Sequence, residues 1–228
     1  YKELVGLADD FSGQNPIVIC SLGDASVTEG EVAEAFQMAA LKQFPILYVV
    51  QDNEWDISAS ADEIRAQNAF EYIQGFHGIE ARSIDGSNFQ ESYQTIQEVL
   101  EIMRAERRPF LIHAKVPLLN HHTSGVRKEW YRDDLEEHQS RDPYPVLWKQ
   151  LLAEGIDEEE LTIIEKKVRT VVENDFSEAQ KAEDPHPEDL FLHDYAPSPI
   201  TEETGERKPE NGESKVMVDS ALFAVQEL

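Results

Sequence analysis

Apolar positions over the first 116 residues follow two alternating patterns, short continuous runs and longer stretches with three- and four-residue spacing. Ile17-Val18-Ile19-Cys20 is a run of the first kind and predicts a strand buried on both faces, ending near Leu22-Gly23-Asp24. From Glu29 to Gln43 the residues Val32, Ala35, Phe36, Ala39 and Ala40 fall on one side of a helix, with acids in its first turn. Pro45 stops that helix, and Ile46-Leu47-Tyr48-Val49-Val50 predicts the next strand. A further unit runs from Gly78 through a helix over Phe89 to Glu106 to a strand over Pro109 to Val116. Strand, helix and strand at this spacing predict right-handed crossovers in a largely parallel sheet with helices on both faces, so the fold class is α/β.

Periodicity lapses between Pro117 and Tyr144, in polar sequence containing Asn120-His121-His122-Thr123-Ser124-Gly125. A stretch of that length without an apolar pattern inside a domain is characteristic of a functional loop or a disordered one. Pro143 to Glu154 then predicts a helix with Val146, Leu147, Leu151 and Leu152 on one side, broken by Gly155. A longer amphipathic helix follows from about Asp157 to Ala182, with Leu161, Ile164, Val168, Val171, Val172 and Phe176 as its stripe. Asp157 and Glu160 have the spacing of a capping box, and Asp184-Pro185-His186-Pro187 ends the helix. Residues 197–214 (PSPITEETGERKPENGES) have the composition of a linker. Apolar periodicity restarts at Val216-Met217-Val218 and Ala221-Leu222, which reads as the opening of a second domain.

The chain carries 46 acidic and 20 basic side chains, a net charge of −26, which argues against nucleic acid or an anionic membrane as partner. Residues 151–214 hold 19 of the acids and 6 of the bases, so half of the excess lies outside the α/β region. Cys20 is the one cysteine, which excludes an intrachain disulfide and a multi-thiolate metal site. No apolar run is long enough to span a bilayer and no signal-peptide pattern opens the sequence, so a cytoplasmic protein is expected.

Gly23-Asp24-Ala25 falls where the first strand meets its helix, and Asp52-Asn53 where the next strand ends. In an open parallel sheet both strand ends face one crevice, so a carboxylate and a carboxamide 29 positions apart meet at a common edge. With a nearby backbone carbonyl they form a set of hard oxygen ligands suited to Mg2+ or Ca2+, and Mg2+ completes its octahedron with water and ligand phosphates. Gly23 permits a tight turn, and the helix start near Thr28 to Glu31 offers a favourable dipole to phosphate. The same residues also suit a plain helix cap at Asp24 and a turn at Asp52-Asn53. Likewise His121 and His122 suit either a solvated loop or proton transfer.

Gly23-Asp24-Ala25-Ser26-Val27-Thr28-Glu29-Gly30-Glu31, then Ala35 to Leu41, then Gln51-Asp52-Asn53-Glu54-Trp55 resemble the thiamine-diphosphate motif of Gly-Asp-Gly followed by Asn-Asn. The ordered set is most similar to the alpha subunit of the decarboxylating component of 2-oxo acid dehydrogenase complexes. The resemblance continues through Asp85-Gly86 and the loop Asn120 to Ser124 and ends with Asp184 to Ala196, so it covers residues 1–196. Residues 215–228 (KVMVDSALFAVQEL) resemble the opening of the beta subunit, which implies an interior piece of a fused alpha–beta chain joined by the linker 197–214.

The resemblance implies thiamine diphosphate and Mg2+ as cofactors, with Asp24 and Asn53 as side-chain metal ligands and Trp55 as a backbone one. Gly23, Ala25, Ser26 and Ile57 would complete the cofactor-binding set, and His122 with its neighbour His121 would be the catalytic histidines. Ala25 stands where the family has Gly, Trp55 where it usually has Tyr, and Asp52 where it has the first Asn, which places an extra negative charge near a diphosphate. The implied reaction is oxidative decarboxylation of a 2-oxo acid with acyl transfer to a lipoyl-bearing acyltransferase. Thr28 to Glu31, Ile57-Ser58 and His121-His122 favour the branched-chain branch. The implied partners are that acyltransferase, the beta-type domain and further copies in a homo-oligomer; a glutamate of the beta type completes the site, so this piece is not expected to act alone. The rivals are a pyruvate-specific or transketolase-like enzyme and a non-catalytic assembly module whose cofactor site has decayed. A plain nucleotide-binding domain would want a glycine-rich phosphate loop after a strand, and the sequence has none.

Overall fold

The computed structural model describes residues 15–192 except Ser124, so the segments 197–214 and 215–228 lie outside the described residues. In chain order the first elements are strand β1 (Val18–Gly23), a 3-10 turn (Ala25–Thr28), helix α1 (Gly30–Lys42) and strand β2 (Ile46–Asp52). Two short strands, β3 (Trp55–Asp56) and β4 (Ala59–Ser60), then form an antiparallel hairpin. They lead into two brief helices, α2 (Ala61–Ile64) and α3 (Ala69–Ile73). Strand β5 (Glu80–Asp85), helix α4 (Phe89–Glu106) and strand β6 (Phe110–Lys115) complete the sheet. The helices α5 (Leu135–Ser140), α6 (Pro143–Ala153) and α7 (Glu158–Lys181) follow.

The sheet is parallel throughout, in the order β1-β2-β6-β5. The connection β1-α1-β2 moves across the sheet in one direction and β5-α4-β6 in the other. Right-handed crossovers of opposite direction place their helices on opposite faces, and the two cores agree. Phe36 and Ala39 of α1 and Ala69 and Ile73 of α3 pack on Tyr48, Val50 and Leu111. Val99 and Met103 of α4 pack on Leu47, Phe110 and Ile112 from the other side. Phe36 is the centre of the first core, with the rings of Tyr48 and Phe76 edge-on to it at 4.9 and 5.4 Å. Covered on both faces, β6 is buried from Phe110 to Ala114, as its continuous apolar run requires.

Three expectations need correction. Among the described residues β1 is an edge strand and not a doubly buried one: its residues alternate between half-buried and exposed, and Ile19 is 59% exposed. The reason is position, since one neighbour strand and one covering helix leave the second face of β1 open. The polar stretch 117–144 is not without structure, because it contains a 3-10 turn at Lys128–Trp130 and the helix α5. Asp157 caps α7 by accepting the Glu159 amide, without the reciprocal bond from Glu160 that a capping box needs.

The described residues fall into two compact units that divide between Val168 and Arg169, and the sheet and the candidate site lie in the first. Along α7, Leu161 is buried while Ile164, Val168, Val171, Val172 and Phe176 of the expected stripe are exposed. The turn after β5 comes close to the end of β6. Gly86 donates its amide to Lys115 O at 2.8 Å, and a Cβ at Gly86 would lie 2.6 Å from Val116 Cγ1. Among the described residues, no helix is long and apolar enough to cross a membrane.

Candidate functional site

The register of β1 on β2 pairs Gly23 with Gln51, so Asp24 and Asp52-Asn53 leave the sheet side by side at the carboxyl ends of adjacent strands. Both carboxylates are buried, Asp24 to 2% and Asp52 to 4% exposure. Burying two like charges together needs compensation, and the compensating group is Arg65, the residue that ends α2. Its Nη1 donates to Asp24 Oδ2 at 2.6 Å and its Nη2 to Asp52 Oδ1 at 2.7 Å. This is a single guanidinium shared between two carboxylates.

The two acids are not equivalent. Asp52 also accepts the Glu54 amide at 3.0 Å and His113 Nε2 at 2.7 Å. His113 is fully buried in β6, and its other nitrogen, Nδ1, meets Ser83 Oγ of the adjacent strand β5 at 3.0 Å. An ionised carboxylate only accepts, so Nε2 donates to Asp52, and the Ser83 hydroxyl, which can donate or accept, satisfies Nδ1. Burial works against the charge on Asp52, but the hydrogen bonds from His113 and Arg65 win and hold this carboxyl well below the usual range. For Asp24, burial and the neighbouring charge of Asp52 outweigh Arg65 and push its carboxyl up. Asp52 therefore keeps the negative charge, and Asp24 carries the strain of the pair.

Asn53 and Trp55 enter from the loop that follows β2. Asn53 is half-buried, and its Oδ1 accepts the Trp55 amide at 2.9 Å, which leaves that oxygen one further acceptor site. Glu54 and Ile57 have left-handed backbone, φ 66° and 55°. For a β-branched residue such as Ile57 that conformation costs about 1 kcal/mol. The Ile57 side chain is exposed at the tip of the β3–β4 hairpin.

Trp55 ties this loop to the segment beyond β6. Its Nε1 donates to Asp134 Oδ2 at 2.8 Å, Arg132 lies 5.3 Å from its ring centroid, and Tyr131 contacts it ring to ring at 5.4 Å. Asp134 also accepts Arg132 Nε at 2.7 Å and faces His138 Nε2 at 3.1 Å. Although burial opposes it, the bonds from Arg132 and Trp55 hold the Asp134 carboxyl low. His138 Nδ1 accepts the Leu118 amide at 2.8 Å, so the ring is neutral, and burial pushes its pKa down accordingly. Arg132 Nη1 donates to Leu118 O at 2.8 Å. Asp134→Ala is expected to leave both Arg132 and His138 short of an acceptor, and to speed amide exchange at Leu118 about tenfold or more, measured by hydrogen–deuterium exchange.

The remaining expected site residues are placed as follows. Gly23 ends β1, and a Cβ there would meet Ser26 Oγ at 3.7 Å, an ordinary contact. Ala25 and Ser26 open the 3-10 turn, whose first amides have no acceptor within the turn; Ala25 O accepts Thr28 Oγ1 at 2.7 Å. His121 is half-buried, and its Nδ1 accepts the Lys128 amide at 3.1 Å, which assigns the proton to Nε2. His122 is exposed.

The structure thus brings Asp24, Asp52, Asn53 and Trp55 to one edge. It adds Arg65, His113, Asp134, Arg132 and His138, which the sequence reading did not identify as site residues. Only His113 had a local signal, since an imidazole inside the apolar strand Phe110–Lys115 must find a buried partner.

In donor chemistry the edge suits a divalent cation. Its candidate donors are the Asp24 carboxylate, held here by Arg65, and the Asn53 carboxamide oxygen, both hard oxygens. Two carboxylates against one guanidinium leave a negative charge to be neutralised. Among the described residues there is no cluster of three or more His, Cys, Asp or Glu side chains placed to hold a metal, so a Zn2+-type ligand set is not what this edge presents.

Residues 3–188 match the family described as Dehydrogenase E1 component. Among curated proteins, the pyruvate dehydrogenase E1 component subunit alpha of Rickettsia bellii is 27% identical over 194 residues, 84% of this chain and 59% of that protein. The corresponding subunit of Rhizobium meliloti is 26% identical over 190 residues, 82% of this chain and 55% of that protein. The mitochondrial 2-oxoisovalerate dehydrogenase subunit alpha of Mus musculus is 29% identical over 189 residues, 81% of this chain and 43% of that protein. The chain therefore spans less than two thirds of the length of these relatives.

Proposed function

Because the chain belongs to the dehydrogenase E1 component family, which is thiamine diphosphate dependent, we propose that it is the alpha-type part of a 2-oxo acid dehydrogenase and supplies the Mg2+–diphosphate half of the cofactor site. The observation that carries this reading is the strand register, which sets a buried carboxylate and the Asp52-Asn53 pair at adjacent strand ends, the ligand-binding edge of a parallel sheet. Asp24, the Asn53 carboxamide and the Trp55 carbonyl would hold Mg2+, and the Ala25 and Ser26 amides would meet the diphosphate. Gly23 and Ile57 shape the two turns that carry those groups. Thiamine diphosphate, when bound, supplies the carbanion chemistry that releases carbon dioxide from a 2-oxo acid. The protein's own part is to orient the cofactor, exclude water and manage protons. His121 would offer a proton at Nε2, and His122 would act on incoming groups, including the lipoyl arm of an acyltransferase.

The proposed substrate is a branched-chain 2-oxo acid, in line with Thr28 to Glu31, Ile57-Ser58 and His121-His122 and with the mouse relative. The Rickettsia and Rhizobium relatives make pyruvate the second reading. Residues 215–228 are proposed to open a beta-type domain after the linker 197–214, in a cytoplasmic homo-oligomer that works with the lipoyl acyltransferase.

Titration of the purified full-length protein with thiamine diphosphate by calorimetry is expected to show binding that requires Mg2+. A screen of 2-oxo acids for cofactor-dependent carbon dioxide release should then rank 3-methyl-2-oxobutanoate above pyruvate. A folded protein that does not bind the cofactor at any Mg2+ concentration would leave the non-catalytic assembly module as the better account. The reverse ranking of substrates would move the protein to the pyruvate branch.

A further inference from the structure

Asp24 and Asp52 share one guanidinium, but they hold it unequally. Asp52 is fixed by three donors: Arg65 Nη2, His113 Nε2 and the Glu54 amide. Asp24 receives its donor hydrogen bond from Arg65 Nη1. The strong end of the bridge is therefore Asp52 and the exchangeable end is Asp24. Arg65 itself follows the single turn α2 in extended backbone, φ −145° and ψ 144°, and the next two residues, Ala66 and Gln67, are exposed. A cavity of about 230 Å3 opens on the Asp24 side, lined by Asp24, Thr28, Arg65, Gln67 and Tyr72 among others. Arg65 lines this cavity together with Asp24, while its other prong is held by Asp52.

We propose that Arg65 is a positioning residue that acts as the site's resident cation: it neutralises Asp24 until a divalent cation takes that carboxylate, and then, still anchored on Asp52, presents its freed Nη1 to the diphosphate. The inference rests on the cofactor reading above and adds an order of events to it. A metal ion arriving alone must evict a guanidinium that has no new partner, so it binds weakly. A diphosphate arriving with the metal gives Arg65 a second anion, so the two ligands bind cooperatively and each tightens the other by the same factor. The same arrangement accounts for Asp52, the departure from the family's Asn-Asn pair. Its extra negative charge does not face the diphosphate unscreened, because it is the anchor of the arginine that would bind that diphosphate.

The test is Mn2+ binding by the full-length protein, read from the electron paramagnetic resonance signal of free Mn2+, with and without thiamine diphosphate. Wild type is expected to bind Mn2+ weakly alone and at least about tenfold more tightly with the cofactor. In Arg65→Gln, Mn2+ alone is expected to bind about tenfold more tightly than in wild type, because nothing competes for Asp24, and the tightening by thiamine diphosphate is expected to shrink about tenfold, to what direct metal–phosphate contact supplies. Adding Asp24→Asn to Arg65→Gln should abolish the gained affinity. An Arg65→Gln protein with unchanged or weaker Mn2+ affinity and intact coupling to the cofactor overturns the proposal. Should that variant fail to fold, Arg65→Lys decides: its single ammonium cannot span both acids, so coupling below wild type supports the two-pronged role and full coupling overturns it. Wild type that binds no thiamine diphosphate at all overturns the cofactor reading and the exchange with it.

Discussion

Asp24→Asn is expected to abolish Mg2+-dependent binding of thiamine diphosphate, weakening it by at least about a hundredfold, while leaving the metal-free protein as stable as wild type or more so. The loss follows from chemistry, because Asp24 is the one carboxylate in the proposed ligand set and an amide is a much poorer ligand for a hard dication. The stability effect follows from the charge balance. Arg65 and Asp52 remain as a matched pair after the substitution, and the second buried carboxylate, which burial and Asp52 both disfavour in its charged form, is gone. The sign can be checked against pH. Because the folded-state pKa of Asp24 is raised, its contribution is fully favourable only below the unfolded value and is lost as pH rises through the folded one. At neutral pH it is therefore a cost to the metal-free fold. Calorimetry with the cofactor and urea unfolding in a chelator measure the two halves. A variant that binds the cofactor normally would remove Asp24 from the metal site.

The opposite pattern is expected at Asp52. Asp52→Ala should destabilise the protein by about 3 kcal/mol, the usual cost of breaking a buried ion pair from one side. Arg65 loses its firmer anchor and His113 is left with a donor in the core and no acceptor. Since the folded-state pKa of Asp52 is lowered, its stabilisation is present above the unfolded value and is lost as pH falls through the folded one. The difference in stability between wild type and Asp52→Ala should therefore be full at neutral pH and shrink on acidification below the ordinary carboxylate range. Chemical denaturation over that range is the measurement. A difference that did not change with pH would mean that the lost packing, and not the lost charge, sets the cost.

These two acids also show how far the sequence reading went. It placed Asp24 and Asn53 at one edge of the sheet, because strand periodicity and crossover spacing are local signals that put both residues at strand ends. The same signals gave α1, β2, α4 and β6 to within a residue or two, since long amphipathic or continuous apolar patterns arise from the helix and strand repeats themselves. The hairpin Trp55 to Ser60 and the brief helices α2 and α3 carried no such pattern, being too short for a period to show. At Asp52 the sequence showed an unfavourable charge and could not show its remedy.

Length, charge, the single cysteine, the succession of strands and helices, and the ordered motifs that point to a thiamine-diphosphate enzyme are properties of the sequence by itself. Tertiary structure alone decided that β1 lies at an edge, that Arg65 bridges Asp24 and Asp52, that His113 and Ser83 stand behind Asp52, and that Asp134 joins Trp55 to the loop after β6. The physical reason is that strand order and side-chain partnership depend on contacts between residues 13 to 79 positions apart. Hydrogen bonds and ion pairs act over a few ångströms of space, and no periodicity along the chain records which distant residue will fill that space.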